Sequence, residues 1–143
     1  KGYQQIVWTD ASSHEYLEEA GTMNVFFRIG DELITAPTSD RILDGVTRKS
    51  IIALAQKHNI PVVVRPVKVT EIVAAANSGD LKEIFGAGTA AVVVPFSAFG
   101  YDDKEYELPG QTDQSYSRRF KKALNDIQYN RAEDPFNWRM ALD

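Results

Sequence analysis

Between two strand-like runs, Leu33-Ile34-Thr35 and Val62-Val63-Val64, lies a stretch whose apolar residues recur at helical spacing. Ile51, Leu54, Ala55 and His58 fall on one face of a helix over about 46–58, with Lys49 and Lys57 elsewhere and Asn59 as its stop. This alternation constrains the fold more than any other feature, because a helix and its flanking strands bury their apolar sides only by packing as layers. Ile6-Val7-Trp8 reads as a short buried strand, and the run 16–27 leads to Gly30-Asp31, which turns it back into Leu33–Thr35 as a hairpin. Downstream, residues 61–69 form a β-branched run broken by Pro66, suited to an edge or a bend. Thr70 is expected to cap a second helix over 71–77 that ends near Gly79. Glu83-Ile84-Phe85 enters a turn at Gly86-Ala87-Gly88-Thr89, and residues 90–94 leave it as a strand. Strands at 99–101 and 106–108 answer each other across Asp102-Asp103. A last helix over 113–129 buries Tyr116, Phe120, Ala123, Leu124 and Ile127, opposite Arg118, Arg119, Lys121 and Lys122. The class is therefore α/β with some antiparallel pairing.

At 143 residues the chain reads as one domain. Apolar residues at 43% and charged residues at 25% are globular values, which excludes intrinsic disorder. The net charge of -4 has both signs interspersed, so no general attraction to nucleic acid or to an anionic membrane is expected. No apolar run approaches the length of a membrane span, and Lys1-Gly2-Tyr3-Gln4-Gln5 does not resemble a secretion signal. Without cysteine there are no thiolate metal sites or cysteine nucleophiles, and a reducing, cytoplasmic setting fits. The start almost directly on a strand suggests a compact beginning or a piece of something longer.

Two segments carry anion-binding features. In Asp44-Gly45-Val46-Thr47-Arg48, the opening turn of a helix presents unpartnered N–H groups and the positive end of the helix dipole. Gly45 lacks the Cβ that would obstruct approach, and Thr47 adds a hydroxyl, so a phosphate is one reading and an ordinary cap the other. Arg48 either assists an anion or makes a surface salt bridge. In the run 85–95, small residues around Thr89, Ala90 and Ala91 suit an anion nest or a plain glycine turn into a core strand. Adjacent Glu18 and Glu19 on a strand point to opposite faces, and a carboxylate entering an apolar sheet requires a cation or hydrogen-bond donors. The alternative is a solvated strand end. His14 and His58 lack metal-ligand spacing, and no Gly-x-Ser-x-Gly is present.

The segments EEAGTMNVFF, ILDGVTRKSIIALA, LKEIFGAGTAAVVVP and IQYNRAEDP resemble, in order and spacing, the C-terminal part of branched-chain amino-acid aminotransferases. These pyridoxal 5'-phosphate enzymes share a fold type with D-amino-acid aminotransferase. The resemblance runs from Ile6 to Arg131 and implies a pseudo-barrel of mixed strands with flanking helices, with residues 1–143 as a partial C-terminal cofactor-binding domain. It implies that Glu19 faces the pyridine nitrogen, that Val46, Thr47 and Thr89 hold the phosphate, and that Thr22, Ala90 and Ala91 contact substrate. It also implies an amino acid and a 2-oxo acid as substrates, no nucleic acid or membrane partner, no metal, and a homodimeric or larger parent.

The departures bear equally on function. The lysine that joins the cofactor covalently, the tyrosine after it, the phosphate-clamping arginine and the small N-terminal domain have no counterpart in this sequence, and Lys1 matches a surface position. No catalytic residue is therefore assigned within the chain, and the fragment alone is expected to be inactive. Ala91 and Val94 occupy the places of a Cys-x-x-Cys found in some animal members. Other readings are a D-amino-acid aminotransferase or aminodeoxychorismate lyase of the same fold, or a non-enzymatic module that binds a phosphorylated metabolite.

Overall fold

The computed structural model describes residues 2–142. The first eight strands make one mixed sheet: β1 (Val7–Thr9), β2 (Tyr16–Ala20), β3 (Met23–Ile29), β4 (Glu32–Thr35), β5 (Val62–Val64), β6 (Val67–Lys68), β7 (Leu81–Gly88) and β8 (Val92–Pro95). The helices are α1 (Val46–Lys57), α2 (Val69–Ser78) and α3 (Tyr116–Gln128), and β9 (Ala98–Tyr101) with β10 (Lys104–Glu107) forms a separate hairpin. All strand pairs are antiparallel except β4 with β5, as the helix between those two requires.

The sheet forks at β3. One edge of β3 pairs with β7 from Asn24↔Ala87 to Ile29↔Leu81. Its other edge is shared, β2 taking Met23 and Asn24 and β4 taking Phe26 to Ile29. Side chains alternate across a strand, so β3 feeds two cores. Phe26 joins Leu33, Phe85 and Val93 under α1 and α3, while Val25 and Phe27 join Ile34, Val67 and Ile84 under α2. Phe26 and Phe85 stack with centroids 5.2 Å apart, and fully burying each such ring contributes on the order of 2–3 kcal/mol.

Helix α3 starts at Tyr116 rather than near 113 and buries Tyr116, Phe120, Leu124 and Ile127 of the expected stripe, with Ala123 half-buried. Its start is fixed by Glu83, a buried carboxylate on β7. Glu83 accepts the N–H of Tyr116 at 2.6 Å, the N–H of Ser117 at 3.0 Å and the Ser117 hydroxyl at 2.6 Å. Arg28, opposite on β3, pairs with it at 3.0 Å and lies 3.7 Å over the Tyr116 ring. The carboxylate is thus neutralised, hydrogen-bonded and placed at the positive end of a helix.

A second carboxylate organises the approach to β2. Asp10 accepts from the N–H groups of Ser13, Glu15 and Tyr16 and from the hydroxyls of Ser12 and Ser13, all within 3.0 Å. The Tyr16 and Ser13 N–H groups hold its carboxyl far below the usual range.

Several expectations are corrected. Ile6 and Trp8 are 64% and 56% exposed, so β1 is an edge rather than a buried strand. His58 does not join the apolar face: α1 stops at Lys57, and His58 is its exposed C-terminal cap. Helix α2 begins at Val69 after Lys68, which leaves Thr70 inside it, although Gly79 does end it with φ 80°. Asn59 and the Asp102-Asp103 turn adopt positive φ as their positions demand.

Two outcomes follow. Glu83→Gln removes the buried partner of Arg28, leaving it only the exposed Asp31 carboxylate at 3.4 Å, and is expected to lower unfolding free energy by about 3 kcal/mol, read by urea denaturation. Because the folded pKa of Asp10 lies below its unfolded value, its contribution is present above about pH 4 and drains as pH falls further. Asp10→Asn should therefore flatten the acid side of a plot of melting temperature against pH.

Candidate functional site

The β2–β3 hairpin sets Glu19 and Asn24 directly opposite each other, so their side chains share a face. Both reach one residue of the segment before α1. Glu19 Oε2 accepts the Leu43 N–H at 3.2 Å, and Asn24 Nδ2 donates to the Leu43 carbonyl at 2.8 Å. The pair therefore grips Leu43 by both of its peptide groups. Asn24 is 5% exposed, Glu19 is half-buried, and Glu19 Oε1 has no partner among the described residues. The neighbouring Glu18 is not a solvated strand end either: it takes the Arg41 guanidinium at 2.9 Å. Glu19 and residues 38–44 line an open cavity of about 430 Å³.

Beyond Leu43, Gly45 is the extended residue that opens α1, and it packs so closely on Asn24 Oδ1 that a Cβ there would overlap it. No side chain caps α1 and no carboxylate lies in its first turn. Val46 is exposed and Thr47 half-buried. The contrast with α3, whose first N–H groups are served by Glu83, is direct. Arg48 makes no surface salt bridge. It is 5% exposed, donates Nη2 to the Ala36 carbonyl at 2.9 Å, and leaves a buried Nε unpartnered. Burial pulls its guanidinium below the ordinary value, against the opposing charge of Asp44.

The third segment differs from its expected form. Strand β7 continues through Gly86, Ala87 and Gly88, and the turn falls later, at Thr89, Ala90 and Ala91, all exposed. Met23 explains this: a Cβ on Gly86 would lie 2.8 Å from Met23 Sδ, and one on Gly88 3.1 Å from the Thr22 carbonyl. The glycines are there for close strand packing, not for reversal. Val92 closes the turn with φ 60°, a conformation costly for a β-branched residue.

These contacts bring the predicted residues to one end of the sheet. Glu19 neighbours Asn24, Asn24 neighbours Gly45 and Ala87, and Thr22 touches the residue before Thr89. They do not line a single cavity, since the one holding Glu19 stops at Asp44, short of Val46 and Thr47, and excludes Thr22, Thr89, Ala90 and Ala91. Among the described residues no group of three His, Cys, Asp or Glu could hold a metal ion.

A model of the amino-transferase class IV family matches residues 1–99. The chain belongs to that family. It is 39% identical, over 99% of its length, to branched-chain-amino-acid transaminase 1 of Bacillus subtilis, of which it covers 40%. The class IV aminotransferase fold is also matched in three dimensions. The Escherichia coli branched-chain amino acid aminotransferase superposes on 96% of the chain with a TM-score of 0.77 and 25% identity, and 41% of that protein is covered. A Brucella abortus aminotransferase bound to the co-factor PLP superposes with a TM-score of 0.69 at 24% identity. The chain thus spans about 40% of the length of the curated relatives it matches.

Sequence reasoning gave no role to Asn24 or to Leu43, which the structure joins beside Glu19. The available signal was the hairpin register: a turn at Gly21-Thr22 puts Asn24 across from Glu19. Gly86→Ala should destabilise the chain by about 1–3 kcal/mol through the Met23 clash. Combined with Met23→Ala, the two losses should fall short of their sum in urea denaturation, because the clash is then relieved.

Proposed function

We propose that this chain is the C-terminal, cofactor-binding part of a branched-chain amino-acid aminotransferase that uses pyridoxal 5'-phosphate. The parent moves amino groups between leucine, isoleucine or valine and 2-oxoglutarate. The observation that carries this reading is the convergence of a half-buried carboxylate and an uncapped helix start through the Leu43 peptide.

The donor set fits the cofactor. A ring bearing a protonated nitrogen and a dianionic phosphate needs one anion and one cluster of N–H groups at fixed separation. Among the described residues Glu19 has an open carboxylate oxygen, α1 offers N–H groups that no side chain caps, and the buried Arg48 lacks a carboxylate partner at pairing distance. In this assignment Glu19 accepts from the pyridine nitrogen and keeps it protonated. Val46 and Thr47 donate to the phosphate from the α1 start, and Thr89 adds its hydroxyl. Thr22, Ala90 and Ala91 border the substrate, where small residues leave room for a branched aliphatic side chain and backbone N–H groups receive its carboxylate. When bound, the cofactor supplies an electron sink for the substrate's α-carbon.

The lysine that moves the proton belongs, on this reading, to polypeptide outside these 143 residues, and the chain alone does not transaminate. The parent is a homodimer or larger, and a cytoplasmic setting accords with the cysteine-free sequence. The similarity to relatives named for branched-chain substrates favours this activity over a D-amino-acid aminotransferase or a lyase.

Full-length protein should convert leucine with 2-oxoglutarate and leave D-alanine untouched. Glu19→Gln should lower its turnover about 100-fold, which corresponds to roughly 2.7 kcal/mol of lost transition-state stabilisation. Turnover unchanged by that substitution would favour a simple phosphometabolite-binding module instead.

A further inference from the structure

We infer that Asn24 is the residue that sets the spacing between the ring-nitrogen carboxylate and the phosphate donors, and so is a positioning residue for the cofactor's phosphate. The inference rests on the cofactor reading above.

The geometry is specific. Glu19 and Asn24 are cross-strand partners, so the position of Asn24 relative to the carboxylate is fixed by the β2–β3 register rather than by a flexible side chain. From there the carboxamide acts twice on the segment entering α1. Its nitrogen donates to the Leu43 carbonyl at 2.8 Å, and its oxygen abuts Gly45 where any side chain would stand. Gly45 is the residue immediately before the first N–H groups of α1. The amide thus links one end of the proposed ligand site to the other by two short contacts.

Asn24 is buried, and its backbone lies in the ladder with β7 at Asn24↔Ala87, so the turn at Thr89 is held to the same frame. No other side chain of the described residues hydrogen-bonds both to this segment and from strand β3. Leucine or aspartate in its place would fail for different reasons. An apolar side chain forfeits the bond to the Leu43 carbonyl, which then keeps only the Gly45 N–H at 2.8 Å, and releases the segment from β3. A carboxylate would face the Leu43 carbonyl and the Glu19 charge at once.

The test uses the full-length protein and two probes, pyridoxal 5'-phosphate and pyridoxal, which differ only in the phosphate. Wild-type protein should bind the phosphorylated form far more tightly. Asn24→Ala should weaken that binding at least tenfold, change pyridoxal binding less than threefold, and shift the phosphorus-31 resonance of the bound cofactor. Equal loss for both probes, or no loss in a folded variant, would overturn the inference while the cofactor reading stood.

If Asn24→Ala does not fold, Gly45→Ala probes the same contact from the other side. It should show the same phosphate-selective loss. Wild-type affinity in Gly45→Ala would overturn the inference. Wild-type protein that took up neither probe would overturn the cofactor reading itself, and this inference with it.

Discussion

Strand β3 is hydrogen-bonded along both edges and buried on both faces over most of its length, so its few side chains decide where everything else packs. A strand with no wet face cannot carry an alternating polar pattern, and Met23-Asn24-Val25-Phe26-Phe27 does not. Phe26 commits one face to α1 and α3, and Val25 with Phe27 commits the other to α2. A one-residue slip of register would exchange those partners and bury the wrong side chains twice over. That penalty is what makes the β3–β7 ladder a reliable frame for a site at its end.

The two ends of the ladder treat charge in opposite ways. At the Arg28↔Glu83 end an ion pair closes the sheet, and the carboxylate spends its lone pairs on the start of α3. Desolvated charge is tolerated there because the cation, two peptide N–H groups and a hydroxyl all converge on it. At the Asn24↔Ala87 end, roughly 13 Å away along the strand at four residues' rise, no ion pair forms with Glu19 among the described residues and α1 starts without a side-chain cap. A guanidinium is buried nearby with one N–H unsatisfied. One end is electrostatically complete within the protein, and the other is left with donors and an acceptor in hand. On the proposed reading, stability and ligand capacity are thus separated along one pair of strands.

Much of the fold was legible in the sequence because it depends on local period. The stripe Ile51-Leu54-Ala55, the Gly30-Asp31 reversal, the Asp102-Asp103 hairpin and the α3 stripe all appear where the pattern places them. The errors share another cause. Gly86 and Gly88 look like a turn when only their own segment is read, and they prove to be strand because Met23 of a different strand occupies the missing volume. Ile6 and Trp8 look buried because they are apolar, yet β1 is an edge whose burial depends on neighbours the local pattern does not encode. In the proposed site, pattern alone drew attention to Thr47, Thr89 and Glu19, and their cofactor roles, with that of Val46, came through resemblance. Asn24 and the burial of Arg48 were not reached at all. An amide's importance here comes from which peptide lies across the hairpin, and composition carries no trace of that.

The same distinction explains why so few chemically reactive groups are present in a region proposed to serve catalysis. The candidate donors are mostly backbone: N–H groups at the α1 start and in the turn at Thr89–Ala91. Backbone donors are placed by what the side chains leave open, which is why Gly45, Gly88, Ala90 and Ala91 matter by being small. Beside the buried Arg48, Glu19 contributes the full charge, and the strand register sets where it starts from. A preorganised arrangement of this kind costs nothing to reorganise as charge develops on a bound ring, whereas a mobile lysine or arginine would have to be recruited each time. On the proposed reading, then, this part of the polypeptide fixes the cofactor's charges in space, and the group that shuttles the proton is free to lie elsewhere in the parent protein.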